Sequence, residues 1–372
     1  MQILKYSGIL LFITFNWGVF SQEKMTFAFA TNYNKAEYTQ EIVVVNSLEK
    51  ALLTPETTIA VKISANSKKL NEITALKNLK YVYLDETFTS VSFYLTAEKI
   101  EQFFQKLASI SSLNYLSIFD SKLLQYHSYL HGIKGLKLNK LEDFNSHPQL
   151  RELPLLEVLI LQDPIVNTIP ATIGSLVHLK QLEIYTTDVL YFPDVSDLNQ
   201  LIVLKTNVGK ISKLHSSLQK LQNLHYLSIN GLTNFKVFPE EICSLTNLEE
   251  LHIELRNAQP IPDCIGLLSN LRILHLNDCQ KIYEFPASFS QLSKLNEIYL
   301  GDAPEHIQLQ NLAILPSPFT LTLNRCNYVG IAKQLNTIPK LKQLIVPTSI
   351  LPKELKKLQE AIMAEKVIVK QL

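Results

Sequence analysis

The sequence predicts an α/β solenoid, because one short apolar pattern recurs at a nearly constant interval along the second two-thirds of the chain. Successive copies of the pattern L-x-x-L-x-L lie 22 to 24 residues apart. A period this regular is typical of stacked units that each bury their apolar face only against their neighbours. We therefore expect one continuous array in most of the 372 residues. The middle apolar residues of the ten copies are Leu136, Leu159, Leu182, Leu204, Leu227, Leu251, Leu274, Ile298, Leu321 and Leu344.

Each copy contains the pattern of a short β-strand. In one copy, Leu182 and Ile184 are expected to face the interior, whereas Gln181, Glu183 and Tyr185 point to the opposite face. This alternation of period two is typical of a half-buried strand. Because the strands recur at one interval, they should stack in parallel and align their outward side chains in columns.

The segment that returns the chain to the next strand has its own signature. Proline recurs at the same position of this segment, except in one copy, where His215 takes its place. Proline is tolerated in a return segment because no strand ladder requires its N–H group. The prolines of this series are Pro170, Pro193, Pro239, Pro262 and Pro286.

The strand pattern and the return I/L-P-x-x-I-G-x-L together resemble the leucine-rich repeat family, in its class of 23-residue repeats. The resemblance is strong over about 125–350 and looser over 45–125. It implies a right-handed, curved solenoid with a parallel sheet on the concave face and short helices or irregular turns on the convex face. No Asn lies in an N-x-S/T sequence, which favours an exported bacterial member over a eukaryotic one.

The chain departs from the family pattern at the position three residues after the last strand leucine. The family usually has Asn, or sometimes Cys, at this position, where it bonds the neighbouring coil. Here only Cys279 and Cys326 fit, so we expect irregular turns after the strands. The nine slots hold Pro164, Thr187, Gly209, Leu232, Arg256, Cys279, Ala303, Cys326 and Ser349.

The start of the chain is predicted to be a signal peptide over residues 1–21. Lys5 provides the positive end, about a dozen apolar residues follow, and Ser21 lies in a small-residue cleavage context. The apolar run is too short for a comfortable membrane span. After Ser21 no apolar run of 18 residues occurs, so we expect no integral membrane segment in the mature chain.

Three further segments are predicted. Residues 22–75 should form an N-terminal cap and a first strand around Val61, with a short helix whose capping box pairs Asn46 with Glu49. Residues 76–350 should form the array, irregular at about 85–125, where a helix is expected from about Glu98 to Ala108. Residues 351–372 should form a C-terminal cap with a lysine-rich helix that shields the last apolar layer.

Composition and motifs exclude several function classes. The net charge of +1 gives no long-range attraction to nucleic acid. The sequence has no nucleophile elbow, no zinc-protease motif and no glycine-rich phosphate loop. We therefore predict a protein that is not an enzyme and that needs no cofactor.

The four cysteines are expected to be mainly structural. Cys279 and Cys326 are two coils apart, about 10 Å by strand spacing, which exceeds the Cα–Cα limit for a disulfide. Cys243 and Cys264 lie on adjacent returns but out of phase by two residues. The sequence is compatible either with a disulfide between them or with two free thiols. Two free thiols are the simpler expectation. The chain has no C-x-x-C motif for a zinc ribbon.

The candidate binding site is the concave face of the coils from about 226 to 299. Tyr and Asn combine rigid amphipathic area with adaptable hydrogen bonding, which suits protein surfaces. The nearby carboxylates should favour protonated His and make binding depend on pH. Two adjacent imidazoles lie within reach of a shared metal, but outward polar residues on such a sheet are typically solvated, so no metal site is assigned. The predicted ligand-binding residues are Tyr226, Glu250, His252, Glu254, His275, Asn277 and Tyr299.

The sequence thus predicts a non-enzymatic, exported recognition protein that binds a protein or peptide through its concave sheet. The alternative is a surface carbohydrate-binding or adhesion module that uses the same residues, because Tyr and Asn also stack on and hydrogen-bond sugars. Export is compatible with a secreted, a periplasmic or a cell-surface location, and the sequence does not distinguish among them.

Overall fold

The computed structural model describes residues 22–27, 40–89, 94–139, 148–162, 171–186, 192–208, 211, 213–231, 235–257, 260–304, 306–362 and 368–371. The predicted signal peptide lies outside these residues. The chain divides into two compact units. The first runs to residue 186 and includes 200–203, and the second contains 187–199 and the chain from 204 onward.

In the first unit, strands follow one another in chain order. β1 pairs with β2 antiparallel, and from β2 onward each strand pairs in parallel with the next. The register places Leu136 opposite Leu159 and Leu159 opposite Leu182, as the leucine spacing predicts. The strands are β1 (Gln22–Phe27), β2 (Gln40–Val45), β3 (Ala60–Ile63), β4 (Tyr81–Leu84), β5 (Tyr115–Ile118), β6 (Gly135–Asn139), β7 (Val158–Gln162) and β8 (Gln181–Thr186).

The returns of the first unit are helical. Among the described residues of this unit, the α-helices are α1 (Leu48–Ala51) and α2 (Ala97–Ala108). The other returns are 3-10 turns at Leu70–Ala75, Ser121–Tyr129, Pro148–Glu152 and Ala171–Ser175. The α1 helix is capped by the Ser47 hydroxyl, which accepts from the Lys50 N–H, and not by the predicted Asn46.

The long coil between β4 and β5 contains the helix predicted near Glu98. The inward positions of these strands, Val82 and Leu116, are 34 residues apart, whereas regular coils repeat at about 23. The extra length forms α2, which begins after Thr96 because the Thr96 hydroxyl accepts from the Lys99 N–H. Ile100, Phe103, Phe104 and Leu107 are buried on one face of this helix. The insertion therefore adds apolar core to the coil.

The second unit repeats the same architecture. Its register places Leu227, Leu251, Leu274, Ile298, Leu321 and Leu344 opposite one another on successive strands. The strands are β9 (Val203–Val208), β10 (Tyr226–Asn230), β11 (Glu250–Glu254), β12 (Ile273–Asn277), β13 (Glu297–Gly301), β14 (Phe319–Asn324), β15 (Leu341–Val346) and β16 (Ile368–Gln371). The helices are α3 (Tyr328–Leu335) and α4 (Pro352–Ala361). The 3-10 turns are Ser216–Lys220, Glu240–Ser244, Asp263–Leu267, Ala287–Gln291 and Leu309–Ile314.

The recurring prolines explain where the turns of the second unit begin. Pro239, Pro262 and Pro286 each occupy the residue before a 3-10 turn, where the fixed φ of proline fits and its missing N–H is not needed. His215 fills this position in the coil that lacks proline, and its Nδ1 accepts a hydrogen bond from the Ser217 N–H at 3.2 Å. The apolar core lies between these turns and the inner face of the sheet.

The C-terminal end differs from the predicted helical cap. The lysine-rich helix is present as α4, but it is followed by β16, which pairs in parallel with β15. The β-branched residues Ile368 and Val369 favour an extended segment at this point. The sheet of the second unit therefore continues one strand beyond the predicted array.

The structure corrects the expectation of free thiols at Cys243 and Cys264, which form a disulfide with a Cα–Cα distance of 5.6 Å. Both lie within 3-10 turns of adjacent coils. A two-residue phase difference moves a Cα only about 4 Å along such a turn, so the pair remains within bonding range. Cys279 and Cys326 are free thiols, as predicted. The buried Cys279 thiol donates to the Gly301 carbonyl of the next coil at 3.1 Å.

Candidate functional site

The predicted site residues come together on four adjacent strands of the second unit, β10 to β13. They occupy the sheet face opposite the leucine core. Tyr226 is opposite Glu250, and His252 is opposite His275. Glu254 is opposite Asn277, and His275 is opposite Tyr299. All seven side chains therefore lie on one face of the sheet.

Four of these residues form a continuous row of rings, which we call the ring ladder: Tyr226, His252, His275 and Tyr299. Successive ring centroids are 5.1, 4.1 and 5.1 Å apart, close to the spacing of neighbouring strands. The Tyr226–His252 pair is stacked, and the two imidazoles meet edge to face. The ladder thus has one ring per strand, and each ring contacts the next.

Two charged residues that the sequence argument left out of the site belong beside the ladder. The Lys205 ammonium lies 5.3 Å from the centroid of the Tyr226 ring, within the range of a cation–π contact. The Glu297 carboxylate is 3.4 Å from His275 Nε2. The repeat register contains a signal for both residues. Lys205 lies two strands before His252 at the same strand position. Glu297 lies two strands after Glu250 at the same strand position.

The other carboxylates border the ladder on both sides. Glu250 Oε2 is 3.8 Å from His252 Nε2. Glu254 accepts a hydrogen bond from the Gly231 N–H at 2.9 Å and lies 3.8 Å from the Arg256 guanidinium. At the far end of the ladder, the Asn324 side-chain amide donates to the Tyr299 hydroxyl at 3.2 Å. The face therefore combines aromatic rings with carboxylate and amide groups.

Burial on this face is greater than the sequence predicted. Tyr226, Glu250 and His252 are only 2%, 1% and 5% exposed. Part of the reason is that stacked rings on strands about 4.8 Å apart cover one another. Glu254, Asn277 and Tyr299 are partly exposed. The accessible part of the site is therefore the half formed by β12 and β13, with Glu254 beside it.

The expectation of a protonated imidazole is wrong for His252. Burial lowers the pKa of His252 to about 4, because the charged ring would lose its hydration. The neighbouring Glu250 opposes this shift, whereas His275 and Lys205 reinforce it. The carboxylate beside the ring is thus not sufficient to keep it charged. Within the described residues, no three His, Cys, Asp or Glu side chains are grouped to hold a metal ion.

The first unit has an aromatic cluster on its own outward sheet face. Tyr83 and Tyr115 are buried there with Val44 and Ala60, and Tyr81 packs against them. The Tyr115 ring lies over Gly135, where an added Cβ would come within 2.5 Å of the ring. Any larger residue at this position would force the Tyr115 ring to shift. The repeat pattern did not predict this cluster.

Both units are leucine-rich repeat solenoids, since each stacks parallel strands on helical returns with the leucines in register. No family model matches the chain. Among curated proteins, it is similar to TMV resistance protein N of Nicotiana glutinosa, with 29% identity over 136 residues, which is 35% of this chain and 12% of that protein. A putative disease resistance protein of Arabidopsis thaliana is 27% identical over 234 residues, 54% of this chain and 18% of that protein. The matches span less than a fifth of these relatives.

Solved structures of bacterial proteins share similarity with the chain as well. A leucine-rich repeat protein of Leptospira interrogans has 21% identity and a TM-score of 0.45, covering 88% of this chain and 99% of that one. An internalin of Listeria monocytogenes has 19% identity and a TM-score of 0.48, covering 77% of this chain and 80% of that one. Among the helices of the described residues, none has the length and apolarity needed to cross a membrane.

Proposed function

We propose that the chain is a non-enzymatic recognition protein that binds a protein or peptide through the face of the ring ladder. The observation that carries this proposal is the ladder itself, which holds four rings in contact with one another across four strands. Side chains held in this way lose little conformational freedom on binding, so less free energy is spent on ordering them. The partly exposed Glu254, Asn277 and Tyr299 would make the polar contacts at its accessible half.

The ring geometry favours a peptide over a sugar on this face. A sugar stacks its C–H surface against a free aromatic face. In the ladder, the rings of Tyr226 and His252 are stacked on each other, and His275 and Tyr299 are in contact. Tyr226, His252 and His275 are at most 9% exposed. This face therefore presents the partly exposed Tyr299 ring, the Glu254 carboxylate and the Asn277 amide to a partner, which suit hydrogen bonding to a polypeptide.

The test begins with capture of binding partners by the purified chain, followed by affinity measurement with each partner in purified form. Tyr299→Ala should weaken binding by at least about 1 kcal/mol, roughly fivefold. The matched control is Gln291→Ala, on a 3-10 turn of the opposite side, which should leave affinity unchanged. If Gln291→Ala weakens binding while Tyr299→Ala does not, the partner uses the other face and the proposal fails. A glycan array run in parallel on the wild-type chain and on Tyr299→Ala addresses the carbohydrate alternative, because only glycan binding that Tyr299→Ala removes would belong to this face.

We also propose that the chain is exported. The predicted signal peptide over 1–21 supports this, and so does the Cys243–Cys264 disulfide, because disulfides persist mainly in oxidising compartments. Trp17 is the only tryptophan and lies in the predicted signal peptide. Protein from the exported fraction should therefore show tyrosine-like fluorescence. A tryptophan emission band, or an intact mass that includes Met1, would contradict cleavage.

A further inference from the structure

A cleft on the second unit lies apart from the ring ladder, beyond the ends of β12, β13 and β14. It is a shallow, open depression with a volume of about 480 Å³. Its walls combine planar polar side chains with an aromatic ring and small apolar groups. The residues that line it are Gln280, Tyr283, Asp302, Ala303, Pro304, His306 and Arg325.

The charged residues of the cleft edge are held in an uncommon backbone conformation. Asp278, Asp302 and Arg325 each directly follow a strand and have φ of 49°, 49° and 54°. Positive φ is uncommon for residues other than glycine and persists where surrounding contacts hold it. The Asp302 N–H, for example, donates to the Asn324 carbonyl of the next coil at 2.9 Å. The three side chains are thus presented along one edge.

The polar groups of the cleft are spaced to hold a hydroxyl group. Asp302 Oδ1 is 3.6 Å from the Arg325 guanidinium, which is too long for a direct hydrogen bond. A ligand hydroxyl that contacts both groups from one side, at about 2.8 Å from each, can donate to the carboxylate and accept from the guanidinium. Gln280 is oriented by its own bond, since its side-chain amide donates to Asp278 at 2.9 Å.

Tyr283 provides an apolar surface next to these groups. It is 41% exposed, although Ile282 and Phe285 close to it in the chain are buried. The Tyr283 carbonyl accepts from the Gln308 N–H at 2.7 Å, which holds the segment in place. Ala303 and Pro304 are buried apolar residues of the lining. An aromatic ring beside hydrogen-bonding groups matches a pyranose, which has an apolar C–H face and hydroxyl edges.

The charge balance of the cleft selects the class of sugar. Its lining contains one carboxylate, Asp302, and one guanidinium, Arg325, which pair with each other, and also the imidazole of His306. An anionic ligand would meet Asp302, and a cationic ligand would meet Arg325. We propose that this cleft binds a neutral pyranose sugar, with Tyr283 against its apolar face and Asp302 and Arg325 sharing one of its hydroxyls.

Saturation-transfer NMR on the full chain tests the proposal, with glucose, galactose, mannose and N-acetylglucosamine as probes and glucuronic acid as the charged comparison. At least one neutral sugar should receive saturation, with a dissociation constant in the millimolar range. Tyr283→Ala should weaken its binding at least tenfold, whereas Tyr283→Phe should retain it because the ring remains. Asp302→Asn should also weaken binding, and Asn tolerates the positive φ at this position.

Two controls separate this site from other surfaces. Tyr94 is a tyrosine of the first unit that is 56% exposed, so Tyr94→Ala should leave sugar binding unchanged. Tyr299→Ala in the ring ladder should also leave it unchanged, which distinguishes failure here from failure of the proposed protein-binding face. The proposal is overturned if no neutral sugar receives saturation, if glucuronic acid binds in their place, or if binding survives both Tyr283→Ala and Asp302→Asn.

Discussion

The Cys243–Cys264 disulfide ties together two adjacent returns of the second unit, and removing it should lower stability by about 3 kcal/mol. The two cysteines are 21 residues apart in the chain. Closing a loop of this length restricts the unfolded chain by an amount that chain-entropy arithmetic places at about 3 kcal/mol. The double variant Cys243→Ala, Cys264→Ala is the appropriate change, because Cys243 is buried at 3% exposure and alanine adds no buried hydroxyl.

Urea unfolding with and without a reducing agent measures this effect. The oxidised wild-type chain should unfold at a higher urea concentration than the reduced wild-type chain, and the double variant should match the reduced form under both conditions. Cys326→Ala is the control, since Cys326 is a free thiol and its loss should leave the effect of the reductant intact. Hydrogen exchange should show the greatest loss of protection in the coils of β10 to β12.

Thiol titration of the unfolded oxidised chain provides an independent check. The disulfide predicts two reactive thiols, from Cys279 and Cys326. Four reactive thiols, or a urea midpoint that the reductant does not change, would refute the assigned bridge and remove one of the two supports for export.

Three further predictions concern the buried residues. Because the pKa of His252 is about 4 in the folded chain and about 6.5 when unfolded, its contribution to stability is complete above about pH 6.5 and falls by roughly 3 kcal/mol toward pH 4. His252→Gln should flatten that part of the profile of urea midpoint against pH, and an unchanged profile would contradict the burial of a neutral ring. Leu227→Asp should lower the free energy of unfolding by at least about 3 kcal/mol, and hydrogen exchange should show opening in the neighbouring coils as well. Opening confined to one coil would mean that the coils are not coupled. Gly135→Ala should lower the free energy of unfolding by about 1–3 kcal/mol in thermal unfolding, because its Cβ meets the Tyr115 ring. Gly132→Ala, with nothing within 4 Å of its Cβ, should destabilise the chain less. Equal destabilisation by the two variants would contradict the Tyr115 packing.

The sequence alone was sufficient to predict the features that repeat. Leucines at a constant interval fall opposite one another on parallel strands because each coil buries its apolar face against the next. Thus Leu251 and Leu274 are paired as their spacing predicts. Pro262 and Pro286 precede 3-10 turns because a fixed φ and a missing N–H suit that position. The same period places His252 opposite His275.

The tertiary structure decided what depends on the packing between coils. The phase of Cys243 and Cys264 in the repeat favoured free thiols, but the turns bring their Cα atoms within 5.6 Å. The sequence placed a carboxylate beside His252 and so predicted a charged ring, but desolvation outweighs that carboxylate. The cleft at Tyr283 likewise depends on backbone angles after the strands. Periodicity specifies which residues become neighbours, whereas distance, burial and side-chain direction are set only when the coils pack against each other.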